Sequence, residues 1–365
     1  MPSQLPARRI RVGLLLHHAL ALILFVSWAG CGRNEAAPAP EAHDETPLHL
    51  ESVLEVPLAE HLDDTLRMNQ IQVVATHNSY HGMPPAALHA QVKAVYPDAA
   101  TWEYDHAPLD VQLNRGIRSF ELDVHRTLRG YEVFHVQDFD AASTCRDVDE
   151  ALQAIRTWSK AHPRHVPIVT LIELKKEDVP FANTQTFPFE ADDLVALDAQ
   201  LLSVFSPEEL ITPDDVRGEY PALAEAVRAG NWPTLAQARG KCMFVLHVRG
   251  ALAEDYTRNA PSCEGRPMFV EGEGDKPWDA VFVVNEPELP QLAQYVRQGF
   301  IVRTRADADL REGRANDTGR RETALASGAQ IVSTDFPRGE ADPDTGYQVE
   351  LPGKVAARPN PVTAP

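Results

Sequence analysis

The chain has 365 residues, a hydrophobic content of 44% and a formal net charge of −19. That length fits one large α/β barrel with a leader, or two small domains. The acidic balance excludes a nucleic-acid binder, because phosphate contacts need Lys and Arg, and it sets an average repulsion from an anionic membrane surface.

Arg8, Arg9 and Arg11 precede an apolar run, VGLLLHHALALILFVSWAG. A basic start followed by an apolar stretch reads as an export signal over residues 1–31. A single membrane anchor is the alternative, but His17 and His18 shorten the apolar core. Ala29 and Gly30 before Cys31 look like a bacterial lipobox, although Trp28 stands where Leu is usual. Cleavage by an ordinary signal peptidase is the other route. Either one makes the protein exported, as an envelope lipoprotein anchored at Cys31 or as a secreted protein. Residues 32–54 are rich in Ala, Pro and Glu and read as a flexible tether. The folded unit is expected over 55–338, and the Pro- and Asp-rich stretch 339–365 as a loose tail.

Within 55–338, eight short apolar runs read as strands: 71–75, 117–124, 131–136, 166–174, 242–248, 280–284, 300–303 and 330–334. Between them, Val148, Leu152 and Ile155 share a helical face, as do Leu289, Leu292 and Val296. Segments 192–205 and 311–327 also read as helices. Alternating β and α elements imply a parallel sheet. Eight strands in this span suit a closed (β/α)8 TIM-type barrel, with a doubly wound open sheet as the competing topology. Residues 206–240 and 249–279 fit no βα repeat and read as loops over the site or a small insertion. Cys242 and Cys263 are near enough in sequence to pair, leaving Cys145 free, though spacing alone does not establish this.

Barrel chemistry sits at the C-terminal strand ends. The first run ends in His77 and Asn78. The second carries Glu121 and Asp123, two apart and therefore on one face, with Phe120, Leu122 and Val124 on the other. Two neighbouring carboxylates repel each other unless something positive compensates. A hard divalent cation, which prefers carboxylate and amide oxygens, is the natural candidate. The third run carries His135. The fourth carries Glu173 and Lys175, again on one face. Each residue alone has a bland reading as a solvated or satisfied side chain. Their convergence on four consecutive runs does not. Arg303, ending the seventh run, is placed to hold a phosphate. Asp335, ending the eighth, is placed to accept from hydroxyl groups of a ligand. Asp307 and Asp309 read equally as loop solvation or a helix start.

The order T-H-N-S, E-L-D, a strand-end His and L-I-E-L-K resembles the catalytic barrel of bacterial calcium-dependent phosphatidylinositol-specific phospholipases C. So does the late segment T-R-A-D-A-D…A-L-A-S-G-A-Q-I-V-S-T-D-F-P. The resemblance spans roughly 65–338. It implies Asn78, Glu121, Asp123 and Glu173 as Ca2+ ligands, His77 and His135 as catalytic histidines, and Lys175 near the substrate phosphate. The implied reaction cleaves a phosphoinositide lipid at a membrane surface to diacylglycerol and a cyclic inositol phosphate, with no protein partner expected. The rival readings are another metal-dependent phosphodiesterase, of the glycerophosphodiesterase or sphingomyelinase D type, and an inactive phosphosugar-binding lipoprotein.

Overall fold

The computed structural model describes residues 65–140, 142–175 and 184–365. The leader, the tether and the first ten residues of the expected barrel lie outside the described residues. The strands are β1 (Ile71–Thr76), β2 (Ser119–Thr127), β3 (Gly130–Val133), β4 (Ile168–Leu174), β5 (Thr186–Phe187), β6 (Cys242–His247), β7 (Phe269–Val270), β8 (Val281–Val283), β9 (Ile301–Arg305), β10 (Ile331–Thr334) and β11 (Ala357–Pro359). Eight of them form the staves, in the order β7-β6-β4-β2-β1-β10-β9-β8. Every stave-to-stave ladder is parallel. A parallel bridge between Glu271 and Val281 joins β7 to β8 and closes the ring. The TIM-type barrel expected from the alternating runs is the observed fold.

Two of the eight expected strands differ from the observed set. Residues Gly130–Val133 are not a stave; they turn back antiparallel on β2 as a hairpin. His135 therefore follows a hairpin strand and does not end a barrel strand. The missing stave is β7, only two residues long, inside the stretch 249–279 that showed no βα pattern. Residues 206–240 do not cover the site either. Leu66 and Met68, just before β1, bond to Leu235 and Pro233, and the Trp232 indole donates to the Gly299 carbonyl just before β9. This segment closes the N-terminal end of the barrel, opposite the chemistry.

Alternation along the staves explains the layering. Phe120, Leu122, Val124, Ile168, Ile172, Phe244, Leu246 and Val332 pack in one cluster with Leu152, Ile155, Leu194 and Leu197 from the helices Val148–Ala161 and Ala191–Val204. That is the outer face of the barrel. Val73, Ala75, Val169, Leu171, Met243, Val245, Phe269, Ile301 and Ile331 pack in the other, which fills the inside. Each inward set is apolar at its N-terminal end. Two residues further on it becomes His77, Glu173, His247, Glu271 or Arg303, and on β10, after Ser333, Asp335. The period of two that fills the core thus also aims the charged groups into its open end.

The C-terminal stretch, expected loose, is packed. Tyr347, Val349 and Leu351 are buried in the outer-face core. β11 pairs antiparallel with Ile71–Val73 of β1, where the ladder to β2, made only at Ala75–Ser119, leaves that edge open. An uncovered edge leaves backbone donors and acceptors unpaired, and β11 satisfies them. Arg358 adds bonds of 2.9 and 2.6 Å to the Gln72 side chain. The Pro and Asp content of the tail masked three apolar residues spaced by two. Tyr347→Ala should therefore cost about 3–5 kcal/mol, the usual range for emptying a buried aromatic site, read as a lower urea midpoint. A loosely attached tail would shift it by less than about 0.5 kcal/mol. Cys145, Cys242 and Cys263 are all buried and unpaired, so the Cys242–Cys263 bridge is not formed.

Candidate active site

The register of the ladders builds the floor of the site. Asp123 lies opposite Glu173, and Glu173 opposite His247. Glu271 follows one step beyond Val270, whose partner is Leu246. Asp123, Glu173, His247 and Glu271 thus form one row across four adjacent staves. Glu121 sits two residues below Asp123 on the same inward face.

Basic groups interleave with these acids. Lys175 Nζ lies 3.1 Å from Asp123 Oδ2 and 3.0 Å from Glu173 Oε1. Arg303 forms a buried ion pair with Glu121 and also reaches Asn285 and Ser333. Burial pushes both Glu121 and Asp123 up. Arg303 together with His77 and His247 more than offsets this for Glu121, and Lys175 together with His135 and His77 does so for Asp123, so both carboxyls end below their usual values. Glu173 lacks enough compensation: burial and the charge of Asp123 leave its carboxyl raised.

His77 Nδ1 is 2.7 Å from Asp335 Oδ1, and Asp335 Oδ2 accepts from Arg305 at 2.9 Å. Burial and the Arg305 guanidinium push the His77 imidazole below the ordinary histidine value, with Asp335 pulling the other way. Both Asp335 oxygens thus have protein partners, and Asp335 holds His77 in place. Asn78 has φ +45°, a left-handed conformation that Asn tolerates better than most residues. Its amide nitrogen is 3.0 Å from the Tyr104 hydroxyl and 3.2 Å from His135 Nδ1. His135 Nδ1 is 3.1 Å from Asp123 Oδ2. The His135 backbone N–H donates to Asp140 Oδ2 at 2.7 Å, while Asp140 Oδ1 stands 3.2 Å from His81 Nδ1. His81 and Asp140 thereby anchor the loop that carries His135.

All nine sequence-derived site residues line this one end of the barrel. Sequence reasoning missed His247, Glu271 and Arg305, although counting by twos from Met243, Phe269 and Ile301 reaches each of them. It also missed His106. That ring donates its Nε2–H to the His77 carbonyl (2.9 Å) and pairs with Glu340 through Nδ1 (2.6 Å). No local pattern signals a pair so far apart in the chain.

Asp307, left undecided between loop solvation and a helix start, is buried behind Asp335. Its Oδ1 accepts the Asp335 N–H at 2.8 Å and its Oδ2 is 2.5 Å from the Thr334 hydroxyl. Burial and the Asp335 charge push its carboxyl up to about 7. The folded state then holds a proton that the unfolded chain gives up near pH 4. Its contribution to stability is whole below that pH and is lost as pH rises through about 7. Asp307→Asn should flatten the fall in Tm between pH 5 and 8. An unchanged slope would show that another group titrates there.

The oxygen donors fit a hard cation. Asn78, Glu121, Asp123 and Glu173 supply an amide and three carboxylates, the donor set calcium prefers. Asp123 Oδ1 is buried with no hydrogen-bond partner, an arrangement too costly to leave uncompensated. A (β/α)8 barrel with two acid-anchored histidines beside a carboxylate cradle and buried cations defines a metal-dependent phosphodiesterase.

Comparison with known proteins narrows this class. The model of the family "Phosphoinositide phospholipase C, Ca2+-dependent" matches residues 66–132 and 127–361. The chain belongs to that family, whose members are Ca2+-dependent phosphodiester hydrolases acting on phosphoinositide lipids. Its fold is similar to the calcium-dependent phosphoinositol-specific phospholipase C of a Gram-negative Pseudomonas species, at 18% identity and TM-score 0.54, covering 82% of this chain and 97% of that one. It is also similar to the Ca2+-dependent enzyme of Streptomyces antibioticus, at 20% identity and TM-score 0.53, covering 74% and 95%. No curated protein matches. The family match decides against the glycerophosphodiesterase and sphingomyelinase D readings.

Proposed function

We propose that this phospholipase C cleaves phosphatidylinositol by internal attack of the inositol 2-hydroxyl on phosphorus, releasing diacylglycerol and a cyclic inositol phosphate. The observation that carries this reading is the pair of histidines, each tied through Nδ1 to a different buried aspartate at the same barrel mouth. Internal attack needs one group to take a proton and another to give one. His77 is neutral, and Asp335 fixes its Nδ1–H, so Nε2 is the base. His135, held against Asp123 through Nδ1, gives a proton to the departing diacylglycerol oxygen. Lys175 and Arg303 neutralise the phosphate as charge develops on it. Asn78, Glu121, Asp123 and Glu173 hold the Ca2+, which supplies Lewis-acid polarisation of the reacting oxygens when bound.

The decisive assay is release of cyclic inositol phosphate from phosphatidylinositol vesicles with calcium and with a chelator. Glycerophosphoinositol cleaved faster than the lipid, or turnover unaffected by chelation, would refute the proposal. The N-terminal reading extends it: the protein works outside the cytoplasm, held at the envelope by a lipid on Cys31. Radiolabelled palmitate incorporated by the wild type and lost in Cys31→Ala tests this.

A further inference from the structure

His247 belongs to neither the acid–base pair nor the expected calcium ligands, yet it stands inside the cradle. Its Nδ1 is 3.7 Å from Glu121 Oε1 and 3.7 Å from Glu173 Oε2. These are the oxygens that the basic groups leave alone: Arg303 pairs with Glu121 Oε2, and Lys175 with Glu173 Oε1. The Nδ1 atom is buried and has no hydrogen-bond partner. On the other side of the ring, Nε2 is 3.3 Å from Glu271 Oε2, and Glu271 is itself held by Arg249. A carboxylate on one ring nitrogen fixes the proton there and leaves the other nitrogen's lone pair facing the acids. That is the arrangement found behind metal-ligating histidines.

One atom from each of Glu121, Glu173 and His247 lies within 4.8 Å of the others. Tetrahedral ligands of zinc, at its usual 2.0–2.1 Å bond lengths, stand about 3.4 Å apart. The observed 3.7 Å closes to that with a small rotation of the two glutamates. A nitrogen donor adds little for a hard ion such as calcium and much for a borderline one.

We propose that Glu121, Glu173 and His247 form a second, overlapping cation site that takes Zn2+ and excludes calcium by sharing two of its carboxylates. The proposal rests on the calcium assignment above for the competition, but not for zinc binding itself. Zinc then acts as an inhibitor competitive with calcium.

The test is calorimetric titration of the full chain with Zn2+ and with Ca2+, together with the visible spectrum of the Co2+ form. The wild type should bind one Zn2+, displaced by excess calcium. His247→Leu should weaken zinc by roughly 100-fold and abolish the ligand-field bands of cobalt, while calcium affinity moves less than about threefold. The retained calcium affinity also reports that the variant is folded. Asp123→Asn should do the opposite, losing calcium and keeping zinc. Equal zinc affinity in the wild type and His247→Leu overturns the proposal, as does zinc that calcium fails to displace from a wild type that binds both. A wild type that binds zinc through His247 but no calcium would instead refute the calcium assignment and leave the zinc site standing.

Discussion

His77→Ala and His135→Ala should each reduce turnover of phosphatidylinositol by roughly 10²–10⁴-fold, the range for losing a positioned general acid or base. The two losses should respond differently to the leaving group. Diacylglycerol leaves as a poor alkoxide and needs a proton, whereas a nitrophenolate does not. A nitrophenyl inositol phosphate should therefore restore most of the rate to His135→Ala and little to His77→Ala, since the attacking hydroxyl is unchanged. Asp335→Asn is a milder version of the His77 defect: it leaves the imidazole in place but removes the charge fixing its tautomer. Equal rescue of both variants, or full activity in either, would refute the assignment of roles.

How much of this was legible in the sequence follows from the period of two. Glu121 and Asp123, or Glu173 and Lys175, announce themselves because β2 and β4 are long enough to show which face is apolar. β7 has two residues, Phe269 and Val270, and two residues carry no period. Glu271 was lost with it. His247 lay inside the run 242–248, already read as a strand, and was not singled out there as a site residue. Residues 131–136 made the opposite error, because an apolar hairpin strand and a stave share one composition. Their difference is the partner, antiparallel β2, which no local signal names. The correct total of eight thus came from one strand too many and one too few. The pairings of His77 with Asp335 and of His106 with Glu340 join positions more than two hundred residues apart. They exist only because the barrel closes and the tail packs beneath it, so the sequence could name Asp335 but not its use.

Asp123→Asn should weaken calcium by roughly 100-fold or more, because affinity at an oxygen site follows the number of charged ligands and Asp123 is the one with a wholly buried, unpartnered oxygen. The same residue also holds His135, so lost activity alone does not separate the two roles. The calcium dependence does. If Asp123 acts chiefly through the metal, saturating calcium should restore a large part of the maximal rate to the variant, at a higher half-saturating concentration. If it acts chiefly through His135, calcium should restore nothing, and the nitrophenyl substrate should rescue the variant as it rescues His135→Ala. The ladder register favours the first result. Asp123 shares its row with Glu173 and His247 and points into the cradle with them, whereas His135 hangs from a loop that Asp140 and His81 anchor independently.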